Sequence, residues 1–322
     1  MPGIGISVVM PFYNGERFVA ETIESVLNQS VRELELIAVD DGSTDSSLDI
    51  VTAYARRDPR VVVLRRNHAG VAAAANAAIR LARYDLIARI DSDDRMLPNR
   101  LERQLCFFEQ RPQLAVGCSD CYFIDAFGKR IGRSSCRVDV EKGTRERRPS
   151  LFLELAQSTV MMRKKVFLDV GEYPEELFYA EDRDLWGRIA TNGFSIECQK
   201  EFLVEFRLHG GALTMTRAEK QREICSWIDF NIVRRLERRP ELSLEEFLEW
   251  EEKEPFTKRM RERLDFKALH SFKKASRHYG EGRYLRCALA LATAVSLNPS
   301  MASRVLSRIQ NHDAEVLPQN AN

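Results

Sequence analysis

Short apolar runs alternate with amphipathic stretches through the first half of the chain. Ile6-Ser-Val-Val-Met10 reads as a buried strand. Phe18, Val19, Thr22, Ile23, Val26 and Leu27 then recur on one face of a helix. Leu34–Val39 predicts a second strand and Thr44–Arg57 a second helix. Val61–Leu64 and an alanine-rich helix over Val71–Ala82 follow. Leu86–Ile90 is a fourth strand, and Pro98–Gln110 a helix with proline suited to its first turn. Strand–helix units in succession predict an α/β domain with a mainly parallel sheet covered by helices on both faces.

The pattern loosens beyond residue 114. Leu114–Ile124 is strand-like, and the polar stretch Arg130–Arg148 reads as a solvated loop. Its basic cluster, Arg145, Arg147 and Arg148, could also meet an acidic head group or phosphate. A helix over Glu181–Thr191 stops at Asn192-Gly193, and strands continue to Phe206. From Thr216 onward the chain is rich in Arg, Glu and Leu and carries no strand signal. The pattern therefore predicts two parts, 1–215 and a helical 216–322, with Asn311–Asn322 as a frayed tail.

Composition narrows the classes. The 49 Lys+Arg nearly cancel the 48 Asp+Glu, which argues against a nucleic-acid binder. With 44% hydrophobic residues, burial can offset chain entropy over most of the 322 residues. No apolar window is long enough for a membrane helix, and the N-terminus shows no secretory signature. With seven cysteines, an odd number, this predicts a reducing, cytoplasmic setting. Cys118 and Cys121 form a CxxC with Cys106 and Cys136 nearby. Irregular gaps and the strand-like context favour small buried thiols over a zinc site.

In an open parallel sheet, ligands bind outside the carboxyl ends of the strands. The first strand is followed by Pro11-Phe-Tyr-Asn-Gly15, the second by Asp40-Asp-Gly-Ser-Thr-Asp45, and the fourth by Asp91-Ser-Asp-Asp94. One rim thus collects several carboxylates, whose repulsion asks for a cation or hydrogen-bonding partners. No glycine-rich turn follows the first strand. GxxxxGK[ST] and GxSxG are both absent, which excludes dinucleotide, P-loop and serine-hydrolase chemistry. In extended backbone Asp91 and Asp93 would project to the same side and offer hard oxygen ligands for Mn²⁺ or Mg²⁺. Taken alone, such a pair equally suits an ordinary surface turn. Asp182 opens a helix on the stripe of Leu185, Trp186 and Ile189, as either a helix cap or a general base. Glu181 lies to one side, and Asp184 is expected to face solvent or a partner.

These segments together resemble the family 2 glycosyltransferases, whose catalytic domain has the GT-A fold. The resemblance rests on ordered pieces: Val8-Val-Met-Pro-Phe-Tyr-Asn14, Val39-Asp-Asp-Gly-Ser-Thr-Asp45, Gly70-Val-Ala-Ala-Ala-Ala-Asn76 and Ile87-Ala-Arg-Ile-Asp-Ser-Asp-Asp94. Pro98-Asn-Arg-Leu-Glu-Arg-Gln104, Ser158-Thr-Val-Met-Met-Arg163, Glu181-Asp-Arg-Asp-Leu-Trp186 and Arg207-Leu-His209 complete it. It covers roughly residues 5–215. It implies inverting transfer of a hexosyl or N-acetylhexosaminyl group from a UDP-sugar or other nucleotide sugar. The acceptor would be a hydroxyl of a carbohydrate or lipid-linked molecule, in cell-surface polysaccharide, lipopolysaccharide or glycoconjugate synthesis.

By the same resemblance, Pro11, Tyr13 and Asp41 would hold base and ribose, with Asn14, Asn76, Arg89, Asp91 and Ser92 in the nucleotide-sugar site. Asp93, Asp91 and His209 would serve the metal, Mn²⁺ or Mg²⁺. Asp182 would be the base and Glu181 would orient the acceptor. Departures from the family pattern are Ala75 where an Arg is common, Gln157 where a His is common, and Ala212 where a Ser is common, with Thr214 just beyond. A phosphatase of the haloacid-dehalogenase type would carry its DxD on the first strand. A catalytically silent binding scaffold is the other alternative, disfavoured by intact Asp91, Asp93, Asp182 and His209. Gly282-Arg-Tyr284, Cys287-Ala288, Leu291, Ala294 and Asn298-Pro299 resemble one tetratricopeptide unit, read as a packing element. The arginine-rich helices are compatible with peripheral contact at the inner face of a membrane, although equal numbers of Glu weaken that attraction.

Overall fold

The computed structural model describes residues 4–141, 150–177, 180–209, 218–280, 282–300 and 302. The expected cluster Arg145, Arg147 and Arg148, the departures at Ala212 and Thr214, and the tail 311–322 lie outside them. The first half holds β1 (Ile6–Phe12), α1 (Val19–Leu27), β2 (Leu34–Asp40), α2 (Ser47–Ala55) and β3 (Val61–Arg65). It continues with α3 (Val71–Leu81), β4 (Leu86–Arg89), β5 (Arg95–Met96) and α4 (Arg100–Glu109). Then come β6 (Leu114–Ile124), β7 (Arg130–Ser134), β8 (Arg137–Glu141), β9 (Ser150–Glu154), β10 (Met161–Arg163) and α5 (Lys164–Asp169). The remaining elements are α6 (Glu181–Thr191), β11 (Ser195–Arg207), α7 (Ala218–Leu236), α8 (Leu244–Lys253), α9 (Phe256–Gly280) and α10 (Tyr284–Leu297).

The main sheet runs β3-β2-β1-β4-β10-β6-β11-β5, with β7 beside β6. Its first half is parallel, as the strand–helix alternation predicts: β1 pairs with β2 and β4, and β2 with β3. Its second half is antiparallel. β10 enters between β4 and β6 against both, and β11 runs against β5. The sheet is therefore mixed. β1 and β2 are buried along their whole length, which is why they read as near-continuous apolar runs. Alternate β1 residues feed two cores. Val9 packs with the alanine face of α3, while Val8 and Met10 pack with Ile23 and Val26 of α1.

The stretch read as a loop over Arg130–Arg148 instead forms β7 and β8 within its described part. β8 pairs antiparallel with β9, Arg137 opposite Glu154. Its charges hid a strand alternation: Ile131 is buried between exposed arginines, a half-buried edge pattern rather than a solvated one.

α6 buries Leu185, Trp186 and Ile189 as the stripe predicts. Asp184 departs from expectation. It is buried and paired to Arg188 at 2.7 Å and Arg235 at 3.0 Å. The reason is α7, which covers that face of α6 and packs Ile224, Ile228 and Ile232 around Ala180. Gly187 allows the approach, because a Cβ there would lie 2.5 Å from Ile232 Cδ1.

The chain divides into two compact units. One comprises residues 1–123, 133–207 and 223–241; the other comprises 124–132, 208–222 and 242–322. The expected cut near residue 215 does not coincide with this division, because most of α7 groups with the sheet. In the second unit, Ser243 and Glu246 form a reciprocal cap at the start of α8. α9 and α10 pair through buried Ala268, Ala275 and Ala294, and Asn298 donates to Asp265 at 2.8 Å. Of the tetratricopeptide-like positions, Ala294 is buried in this hairpin, whereas Tyr284 and Ala288 are exposed. Among the described residues, no helix is long and apolar enough to cross a membrane.

Gly187→Ala should destabilise the chain by about 1–3 kcal/mol, the usual result of overpacking. Urea unfolding measures this, and Gly187→Ala combined with Ile232→Ala should recover part of the loss.

Candidate active site

The carboxyl ends of β1 and β2 lie side by side, Phe12 in register with Asp40. The loops that follow are laced together by side chains. Asn14 Oδ1 accepts from the Thr44 backbone N–H at 2.8 Å, and Ser47 Oγ accepts from the Gly15 N–H at 2.8 Å. Pro11 is buried in β1 opposite Val39. Asp40 is fully buried and accepts from the Ser43 N–H. Asp41 is also buried, and its carboxylate accepts from the Ala69 and Gly70 N–H groups, each at 2.9 Å. His68 Nδ1 lies 2.8 Å from Asp41 Oδ2, and its ring stacks on Tyr13 with centroids 4.3 Å apart. Tyr13 stays half-exposed, so the two rings form an aromatic ledge above a buried carboxylate. His68 was not singled out in the sequence. The available signal was its place two residues before Gly70 of the third motif.

Asp91–Asp94 is a turn rather than extended backbone, closed by the Asp94 N–H on the Asp91 carbonyl at 3.2 Å. The same-side argument for Asp91 and Asp93 therefore does not hold. What gathers their charge is the turn, pinned from several directions. Ser158 Oγ accepts from the Asp91 N–H at 3.0 Å. A Cβ on Gly15 would come within 3.2 Å of Ser92 Oγ, so the first loop lies directly against this turn. Arg89, buried, reaches Asp91 Oδ1 at 3.1 Å. Arg207 on β11 donates its backbone N–H to Asp94 Oδ1 at 2.7 Å and its Nε–H to the Asp93 carbonyl at 2.7 Å. Arg100, also buried, donates to the Arg89 and Val160 carbonyls at 2.9 and 3.0 Å. Burial depresses its guanidinium to about 9.

The carboxylates feel this crowding. Burial, with repulsion from Asp93 and Asp91, holds Asp94 well above the usual carboxylate range, and its Oδ2 has no hydrogen-bond partner among the described residues. Burial also raises Asp91; Arg89 opposes the shift, while Asp93 and Asp182 add to it. At the start of α6, burial together with Asp182 pushes Glu181 up to about 8. Asp182 is raised by burial as well, but the Arg183 N–H donates to its Oδ1 at 2.7 Å and restrains the rise. The structure thus brings Asp91, Asp93, Asp94, Glu181 and Asp182 into one electrostatic group. The residue ahead of α6 is Ala180, so no side chain caps its N-terminus. Mutually repelling carboxylates, half-buried at Asp91 and Asp93 around the buried Asp94, are a donor set that fits a hard divalent cation.

One expected site residue is committed to another part of the chain. Asn76 sits inside α3, buried, and its amide is committed: it donates to the Tyr173 carbonyl and Glu175, and accepts from the Tyr173 N–H at 3.0 Å. It clasps the segment leading to α6. His209 follows β11 by two residues, close along the chain to Arg207, which binds the Asp93–Asp94 turn.

Residues 7–171 match the family described as Glycosyl transferase family 2, and the chain belongs to that family. It is a glycosyltransferase. An uncharacterised glycosyltransferase of Methanocaldococcus jannaschii is 31% identical over 221 residues, 67% of this chain and 75% of that protein. The amylovoran biosynthesis glycosyltransferase AmsE of Erwinia amylovora is 29% identical over 206 residues, 62% of this chain and 75% of AmsE. Among solved structures, S. aureus TarS 1–349 in complex with UDP-GlcNAc superposes with a TM-score of 0.57 at 17% identity. That match spans 90% of this chain and 91% of TarS 1–349. The fold is thus of the GT-A type expected from the motifs.

Asn76→Ala should lower stability by about 1–3 kcal/mol, through the stranded Tyr173 amide groups, and leave UDP affinity within about twofold. Urea unfolding and calorimetric titration with UDP separate this clasp from a nucleotide contact.

Proposed function

We propose that the chain transfers a sugar from a UDP-sugar to an acceptor hydroxyl with inversion, in the assembly of a polysaccharide or related glycoconjugate. The observation that carries this reading is the joint placement of the Tyr13–His68 ledge, buried Asp41 and the Asp91–Asp94 turn at the ends of β1, β2 and β4. The UDP-GlcNAc complex of TarS and the role named for AmsE support the donor class and the setting.

In this reading the uracil ring lies on Tyr13, with Asp41 below as its hydrogen-bond acceptor and His68 fixing both. Asp93 and Asp91 would hold Mn²⁺ or Mg²⁺, which supplies positive charge for the departing diphosphate. Asp182 takes the proton from the acceptor hydroxyl. Its neighbour Glu181, pushed up to about 8, keeps its proton at neutral pH and orients the acceptor as a hydrogen-bond donor. Environments that push two adjacent carboxyls apart in this way assign them different roles. Direct displacement needs one base on the acceptor side and no second nucleophilic carboxylate.

Asp93→Ala should abolish Mn²⁺-dependent UDP binding in calorimetry while the far-ultraviolet spectrum is unchanged; equal UDP affinity with and without metal in the wild type would reject the metal role. Tyr13→Ala should weaken UDP about 5–150-fold, the ~1–3 kcal/mol that base–aromatic stacking supplies.

Asp182→Asn should lower turnover roughly 10²–10⁴-fold, as loss of a general base does, with donor affinity nearly unchanged. Glu181→Gln, which retains a donor, should be milder. An active Asp182→Asn beside a dead Glu181→Gln in the same assay moves the base by one residue.

A further inference from the structure

Away from the carboxylates, the sulfurs of Cys118 on β6, Cys136 just ahead of β8 and Cys198 on β11 lie within 4.8 Å of one another. Cys118 Sγ is 3.4 Å from Cys198 Sγ, and the Glu197 carbonyl sits 3.5 Å from Cys118 Sγ. These are not the CxxC partners. Cys121 is an odd number of residues from Cys118 and so projects from the other face of β6, while Cys106 is exposed on α4. The trio is held in place by the backbone. Asp120, on the same face of β6 as Cys118, is buried and accepts from the Cys136 N–H at 2.8 Å. That bond ties the third thiol to the strand carrying the first.

Tetrahedral thiolate coordination with metal–sulfur bonds near 2.3 Å places sulfurs about 3.8 Å apart. A set spanning 3.4 to 4.8 Å reaches that spacing with small side-chain rotations. Thiols left alone offer one another only weak hydrogen bonds, so packing by itself gives little reason to converge them. Three thiolates on a divalent ion leave one net negative charge. Lys200, two residues beyond Cys198 and on its face of β11, is anchored here through the Cys136 carbonyl. A cavity of about 370 Å³ opens at Cys198 between Arg137, Asp139 and Lys200. It gives an ion a route in and leaves room for a water as fourth ligand.

We propose that Cys118, Cys136 and Cys198 form a site for a thiophilic cation, Zn²⁺, with water in the fourth position. Soft sulfur donors select such an ion over the Mn²⁺ or Mg²⁺ suited to the carboxylates. The ion staples the segment ahead of β8 to strands β6 and β11, so its role is structural.

The test uses the full chain, purified under reductant and stripped with chelator. Co²⁺ titration should give one ion per chain with thiolate-to-cobalt charge-transfer bands and the intense visible absorption of a tetrahedral site, all displaced by Zn²⁺. Cys136→Ser and Cys198→Ser should weaken Zn²⁺ by more than the ~10–100-fold that loss of an outer-shell partner costs. Cys106→Ser and Cys121→Ser should bind as the wild type does. In the wild type, which requires no variant to fold, Zn²⁺ but not Mn²⁺ should protect Cys118, Cys136 and Cys198 from alkylation. The proposal is overturned by a cobalt spectrum without thiolate bands, by alkylation indifferent to Zn²⁺, or by a Cys118–Cys198 disulfide that persists under reductant and excludes the metal.

Discussion

Carboxylates crowd one end of the sheet, and the architecture around them keeps that crowding tolerable. Asp91, Asp93 and Asp94 share a single turn, and Glu181 and Asp182 add their charge from α6. Buried charges survive only when paired or hydrogen-bonded. Here Arg89 pairs with Asp91, and Arg207 brackets the turn through Asp94 and the Asp93 carbonyl. Arg100 ties the end of β4 to the Val160 carbonyl. These guanidiniums only partly offset the repulsion, since Asp91 and Asp94 remain raised. In the proposed function, that residual repulsion is what a divalent cation would relieve.

The two sides of the site are positioned by different means. At the ends of β1 and β2, parallel strands in register lie side by side, and short polar side chains lace their loops together. At Glu181 and Asp182, α6 is held from outside. α7 covers it, Arg235 and Arg188 share Asp184, and Asn76 clasps the approach at Tyr173. Asp184 is thus a structural ion pair two residues from the proposed base. The alternation of these roles along one helix turn follows from its 3.6-residue period.

The thiol trio adds a contrast of donor chemistry. Hard oxygen donors gather at the strand ends, while soft sulfur donors gather between β6, β11 and the segment ahead of β8. With both proposed sites occupied, separation of this kind would let one chain discriminate two cations by ligand type rather than by affinity alone.

The amino-acid sequence by itself determined what depends on local periodicity. The four strand–helix units and the start and end of α6 are written in apolar spacing, a signal carried within a dozen residues. So was the placement of Asp41, Asp91 and Asp93 after strands, because a turn must follow each strand end. Only the tertiary structure decided whatever depends on a distant partner. Asp184 looked solvent-facing because the helix that buries it is remote in sequence. Asn76 looked like a ligand contact because its clasp partner, Tyr173, cannot be seen from its own helix. His68 carried no periodic signal, and its stack on Tyr13 exists only once loops from different strands meet. The Asp91–Asp93 pair was found for a reason that the backbone does not follow, since a turn rather than extended chain unites them. Cys118, Cys136 and Cys198 share no spacing rule at all. Pairing of strands brings them together, and strand pairing is a long-range choice that no local pattern encodes.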